Sequence, residues 1–420
     1  MTTTLLPPRP ELPGPGRRTA ARTRLTLSAL VACWAATRAV MLLLLARDDS
    51  HPLGVGGIAR EVHALYFHWF GVLAEGGFPL DDPLWQYPPA AGPVLLAPAL
   101  LPWLSYFQAF VALAVLADAA VACALALAGR RQGRSLAGAA FWVGGLPLLL
   151  HIPLARYDLH VTALAVLALL CLARRPRTAG VLAALGALVK VWPALTLLGA
   201  PRGRGTRASW GAGIAAAGAL LLVLAAAFDH AFAFLRQQGG RGVQIESLGG
   251  TALALARHAG WPGRVEYRFG AMEFTGPQVS AVAHASLFAT VLGCAALLLW
   301  RVRAQRWTEA TPFDAALCAV LLFTVTSRVI SPQYVIWLLG LAAVCLTSRA
   351  TSQRPAAFLV TAAAAVTTLG YPLLYADVMA VTWTGTLVVL VRNALLVGAV
   401  LLSWRGLWRS TVSAAAREKP

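Results

Sequence analysis

The sequence predicts an all-α polytopic membrane protein: a bundle of about ten crossings with re-entrant or short helices and external loops. Three observations predict it. Hydrophobic residues make up 58% of the chain and charged residues only 12%, against about 25% charged in a soluble domain. Apolar runs long enough to span a bilayer recur, as at 209–228, 285–300 and 379–403. Between the runs sit short arginine clusters: Arg130, Arg131 and Arg134; Arg174, Arg175 and Arg177; Arg202, Arg204 and Arg207; Arg301, Arg303 and Arg306; Arg349 and Arg354; Arg405 and Arg409. That is the positive-inside pattern, a signal of orientation. The net charge of +18 therefore does not mark a nucleic-acid binder, since no continuous basic face exists to hold phosphates.

The elements follow in order. Residues 1–24 read as a basic, Pro-rich cytoplasmic tail, and 25–403 as one membrane domain with a cytoplasmic tail at 404–420. The first helix, about 25–46, lacks a convincing cleavage site and is expected to stay in place. It ends at an external acidic loop, 47–88, which holds six of the chain's seventeen carboxylates. Segment 88–104 carries Pro88, Pro89, Pro93, Pro98 and Pro102, which disfavour a plain spanning helix. It is expected not to cross, and only then do all arginine clusters fall on one side.

Helices 106–128, 136–151 and 159–173 then alternate across the membrane. Segment 179–200 has basic residues at both ends and a break at Lys190-Val191-Trp192-Pro193, so it reads as two half-helices that dip in and return. Helix 209–228 leads to a second external loop, 229–280. Helices 285–300, 313–327, 334–347, 355–372 and 379–403 complete the bundle, with both termini inside. The six cysteines lie in apolar runs without metal spacing and read as buried small hydrophobes.

The side assigned as external gathers the residues that could carry chemistry. Glu61 precedes an aromatic-rich stretch expected to form an interfacial helix, where a partly dehydrated carboxylate can serve as a general base. Asp158 stands beside Arg156 where a helix emerges. Lys190 lies within an apolar segment, and such a residue is a functional candidate because its burial is costly. Arg241, Arg328 and Arg392 suit an anionic group through the planar guanidinium, although Arg241 could equally pair with Glu246. Asp81 and Asp82 form a secondary acid pair, whereas Asp48 and Asp49 read as solvated charges. His63, His68, His151 and His160 show no metal spacing. Acids and cations on one membrane face suit a lipid phosphate carrying a polar group.

An acid, a Tyr a few residues on, then Gly, then aromatic-Pro-Pro resembles the first external loop of the GT-C superfamily, membrane glycosyltransferases that use polyprenyl-phosphate sugars. More narrowly, Trp85-Gln86-Tyr87-Pro88-Pro89, Ala187-Leu188-Val189-Lys190-Val191-Trp192-Pro193 and Ser331-Pro332-Gln333-Tyr334-Val335-Ile336-Trp337 resemble glycosyltransferase family 87. Its members include actinobacterial polyprenyl-phosphate-mannose-dependent α-mannosyltransferases. The stretch from Arg241 to Ser247 also fits relatives of that family, and the resemblance runs over about 25–403.

The resemblance implies a GT-C-like bundle in the plasma membrane. It implies an inverting transfer of a sugar, mannose first, from a polyprenyl-phosphate donor to a glycolipid or glycan acceptor on the external face. The family's first-loop acid is usually Asp; Glu61 fills its place as base, with the spacing to Tyr66 one residue longer. Asp158 matches a second acid by placement. Lys190, Arg156, Arg241, Glu246, Arg328, Gln333, Tyr334, Tyr87, Asp81 and Asp82 would surround the donor phosphate and substrates. Some superfamily members use a divalent cation and others do not, and no metal ligand is assigned here. A transporter or flippase of lipid-linked sugars is the alternative. It would need charge along a path through the membrane, where this chain offers only Lys190, Asp118 and Arg392.

Overall fold

The computed structural model describes residues 15–51, 56–79, 82–232 and 242–412. α1 (Pro15–Ala46) is followed by a π-helical turn, Glu61–Tyr66, that runs into α2 (Phe67–Ala74). Then come α3 (Ala91–Leu96), α4 (Tyr106–Gly129), α5 (Ala137–Gly145), α6 (Asp158–Leu172), α7 (Pro176–Val189) and α8 (Arg204–Ala227). The second half holds α9 (Leu248–His258), α10 (Val279–Arg303), α11 (Thr311–Thr326), α12 (Tyr334–Leu346), α13 (Arg354–Thr368), α14 (Tyr375–Ala380) and α15 (Trp383–Thr411). Among the described residues, six helices are long and apolar enough to cross a membrane, and six shorter apolar helices pack between them. The chain is an all-α polytopic membrane protein, as the apolar runs predict.

The helices that face outward are apolar outward. Ile214 and Leu222 on α8 and Leu287 and Phe288 on α10 are exposed, which suits lipid as solvent. Inside, α11 and α12 are buried almost throughout. α7 and α8 approach closely through small residues: a Cβ on Gly180 would sit 1.9 Å from the Ser209 carbonyl oxygen, the close contact that membrane helices use where packing replaces hydrophobic drive. A buried ion pair joins α1 to α4. Arg38 holds Asp118 through two contacts of 2.8 Å, and the indoles of Trp34 and Trp142 donate to the same carboxylate at 2.6 and 2.8 Å.

The arginine clusters gather on one face. Arg134 pairs with Glu309 at 2.6 Å and bridges in backbone to Ser348. Arg301 donates to the carbonyl of Ala200 at 2.6 Å and to Thr206 at 2.9 Å. The Pro-rich segment does not span: its helical part, Ala91–Leu100, is too short for a hydrocarbon core of about 30 Å. Both its ends lie on the opposite face, since Tyr106 at the start of α4 donates to the carbonyl of Tyr66. Segment 176–199 also returns: α7 ends at Val189 and a 3-10 helix, Trp192–Gly199, runs back towards the arginines.

Three expectations are corrected. Segment 229–280 is not a plain loop: it holds α9 and an antiparallel sheet of β1 (Val243–Gln244), β2 (Arg264–Arg268) and β3 (Ala271–Thr275), in the order β1-β3-β2. Phe274 and Val243 pair at its base and bury against α9, α10 and α15. Asp48 is not solvated but 2% exposed, because His151 Nε2 and the Ala59 amide, each at 2.8 Å, replace water. Of the cysteines, Cys318 and Cys345 are buried, while Cys33, Cys123 and Cys294 sit on the apolar exterior.

Candidate functional site

A cavity of about 1250 Å³ opens on the face away from the arginine clusters. That exceeds the roughly 300–1,000 Å³ of common small-ligand sites and leaves room for two substrates side by side.

The first wall is the π turn. In an α-helix, residues five apart point away from each other; the wider π turn brings them together. Tyr66 Oη donates to Glu61 Oε1 at 3.0 Å, and Glu61 Oε2 meets Arg156 Nη2 at 2.7 Å. Single π turns recur at functional sites because they re-aim one side chain. Arg156 lies in extended backbone between a 3-10 turn, Ile152–Ala155, and α6. It is 5% exposed and also donates to the carbonyls of Ile58 and Ala155 at 3.2 and 2.8 Å. Its charge and direction are thus held by the backbone, and it holds Glu61 in turn. The Glu61 carboxylate remains partly exposed on the cavity wall.

The floor is Lys190. It sits in extended conformation where α7 stops, because Pro193 cannot donate to a continuing helix. Its ammonium lies 2.6 Å from Asp158 Oδ1, which also accepts from Trp337 Nε1 at 2.6 Å. Four rings surround the ammonium: Tyr157 at 4.7 Å, Trp337 at 5.1 Å, Tyr334 at 5.6 Å and Tyr87 at 6.0 Å. Aromatic faces attract a cation at such distances. Tyr334 stacks on Trp337 with centroids 4.0 Å apart, and Trp192 flanks Trp337 at 5.2 Å. The motifs around Lys190 and Ser331-Pro332-Gln333-Tyr334, distant in sequence, are thus two sides of one cage.

The far wall joins the second external segment to the loop before α12. The Gln244 amide donates to the Arg328 carbonyl at 3.0 Å, and Gln244 Oε1 accepts from the Ile330 amide at 2.7 Å. Gln244 Nε2 donates to Glu246 at 3.0 Å. Glu246 is 4% exposed; Arg392 and Asn393 of α15 both donate to its backbone carbonyl. Burial pushes its carboxyl up to about 7, against the opposing pull of Arg392 and the Gln244 hydrogen bond.

Of the residues singled out in the sequence, Glu61, Asp82, Tyr87, Arg156, Lys190, Glu246, Arg328, Gln333 and Tyr334 all line this cavity. Asp82 is held by the Trp69 indole at 2.7 Å and the Leu84 amide at 2.8 Å. Asp158 stands behind the wall, 1% exposed, with Lys190 between it and the cavity. Asp81 and Arg241 lie outside the described residues.

The cavity also takes in Arg60, Tyr267, Phe269, Tyr371 and Tyr375, which sequence reasoning did not single out. Arg60 stood next to the acid that drew attention. Tyr371 before Pro372 marked a break in an apolar run. Tyr267 and Phe269 carried no local signal, because only strand pairing brings them here.

A family model described as glycosyltransferase family 87 matches residues 85–332. No curated protein and no solved structure matches the chain significantly.

Proposed function

This chain belongs to glycosyltransferase family 87 and is a membrane glycosyltransferase; from that premise we propose that it transfers a sugar, mannose first, from a polyprenyl phosphate to a glycolipid or glycan acceptor. The observation that carries this reading is the pairing, in one cavity, of a partly exposed carboxylate with an aromatic-caged ammonium: Glu61 on the wall and Lys190 on the floor. The protein lies in the plasma membrane with its termini cytoplasmic and the cavity external, and the bundle is of the GT-C type.

Glu61 is the general base. The acceptor oxygen attacks the anomeric carbon of the donor sugar and gives its proton to Glu61. The bond from that carbon to the phosphate oxygen breaks, the phosphate leaves with the electron pair, and the configuration inverts. Positioned proton transfer of this kind contributes about 10²–10⁴-fold. Tyr66 and Arg156 orient the carboxylate. Lys190 and Arg328 hold the phosphate and stabilise the charge that grows on it, at a site where aromatic walls exclude water. Asp158 and Trp337 aim Lys190. Tyr87, Gln333, Tyr334, Asp82 and Glu246 shape the rest of the substrate site.

The test uses membranes containing the full chain and labelled polyprenyl-phosphate mannose, arabinose and glucose. Transfer from the mannose donor, lost by at least a hundredfold in Glu61→Gln while the variant still inserts, supports the reading. Transfer from another donor alone overturns the choice of sugar. Full activity in Glu61→Gln removes Glu61 as base.

A further inference from the structure

The β2–β3 hairpin reaches over the cavity and is used by nothing described so far. Its tip residues Tyr267, Phe269, Gly270, Ala271 and Met272 line the cavity, and a Cβ on Gly270 would come within 4.0 Å of Leu84 in the first external segment. Tyr267 and Met272 are paired across the two strands, two residues further out than the pair Val265 and Phe274. Side chains alternate in a strand, so Tyr267 and Met272 continue the apolar face whose buried base holds Phe274. At the base that face is covered by helices. At the tip Met272 still packs against that cluster, whereas Tyr267 is 62% exposed.

The turn adds a second observation. Phe269 and Gly270 take φ of +50° and +76°, the two left-handed positions of a tight hairpin turn. Asn or Gly is the ordinary occupant of the first position, and a bulky side chain there is strained. This hairpin keeps an aromatic ring at that point, half-buried on the cavity side.

We infer that the hairpin tip is the acceptor subsite, that Tyr267 is its stacking platform, and that the acceptor therefore presents a sugar ring. A pyranose has an apolar face of C–H groups and a rim of hydroxyls. It needs a flat aromatic surface with polar groups at the edge, which a tyrosine ring supplies at little entropic cost. The rim is present: Glu61, Asp82, Arg60 and His68 line the same cavity as Tyr267. A sugar stacked on Tyr267 shares the cavity with Glu61, the base of the proposed transfer. A long-chain alcohol without a sugar has no use for this rim. The inference rests on the proposed glycosyl transfer and adds the place and the residue that hold the acceptor sugar.

Two measurements test it, on the full chain in detergent micelles. The first is saturation-transfer NMR with methyl α-mannoside and a methyl dimannoside, which needs no donor and no turnover. Saturation passing from aromatic protons to the sugar C–H protons in wild type, and lost in Tyr267→Ala, is expected. No transfer in wild type, or equal transfer in the variant, overturns the subsite whatever the enzyme's activity. The second is kinetic, with octyl α-mannoside as acceptor. Tyr267→Ala is expected to raise the acceptor KM at least tenfold with the donor KM unchanged, while Tyr267→Phe stays near wild type. A rise in donor KM instead puts the donor sugar on this ring and overturns the assignment. Tyr267 is solvent-exposed, so folding of these variants is not in question.

Discussion

Asp158 and Lys190, 32 residues apart in sequence, meet through a 2.6 Å contact at the floor of the cavity, and only the lysine faces the cavity. The buried carboxylate holds the ammonium at the cavity wall. Its second partner, Trp337, lies 179 positions away, so three segments must be in place before the ammonium points correctly.

Asp158→Asn is expected to raise the donor KM by tenfold or more, because Lys190 loses its charge partner and its direction. If Asp158 instead takes a proton in the reaction, kcat falls and the donor KM stays put. Steady-state kinetics with varied donor separates the two.

Tyr66→Phe removes one hydrogen bond to Glu61 and leaves the ion pair with Arg156. A single bond of this kind is worth about 1 kcal/mol, which predicts a loss of roughly fivefold in kcat/KM. Arg156→Ala removes both the charge and its backbone anchors, and a much larger loss is expected. Equal effects in the two variants are inconsistent with Arg156 as the main support of Glu61.

Glu246 links stability to pH. Its carboxyl titrates near 7 in the folded chain, above the 4.5 of a free Glu, because burial favours the neutral form. The folded state therefore binds the proton more tightly than the unfolded state. This contribution is fully present below about pH 4.5 and is lost as pH rises through 7. Its size is on the order of 3 kcal/mol. Thermal unfolding in micelles should show the midpoint falling across that window in wild type and falling less in Glu246→Gln. Parallel curves count against Glu246 as the titrating group.

The Arg38–Asp118 pair lies far from the cavity and belongs to the bundle. Arg38→Met leaves a buried carboxylate uncompensated, a change that typically costs about 3–5 kcal/mol. Adding Asp118→Leu should restore part of that. Thermal stability reads both variants, and the activity of the surviving folded protein should be near wild type.

Much of the fold was legible because its signals are local. Prolines decide that 88–104 cannot span, and Lys190-Val191-Trp192-Pro193 marks the tip of a returning segment within its own few residues. Arginines between apolar runs sort the ends of helices to one face, and the contacts of Arg134 and Arg301 confirm that sorting. Glu61, Lys190 and Tyr334 could be singled out as odd residues in their surroundings. What was not legible depends on distant partners. Asp48 looks like a loop carboxylate until His151 arrives from 103 positions away. Tyr267 becomes a cavity residue only when β2 pairs with β3 and β3 with β1. The two residues of β1 are too few to announce a strand, and their hydrogen bonds to the loop of Arg328 cannot be foreseen from either segment.

The π turn between Glu61 and Tyr66 bears on how such a site is recognised elsewhere. Adding a residue to an α-helix rotates everything beyond it by about 100°, which would swing the tyrosine away from the acid. Widening a single turn confines that rotation to the turn itself. The acid–tyrosine pair can therefore be kept at two different separations along a chain with the same geometry in space. A search that demands one fixed spacing overlooks sites built on the other, whereas one that allows an extra residue between acid and ring, and asks for the buried arginine behind them, finds both.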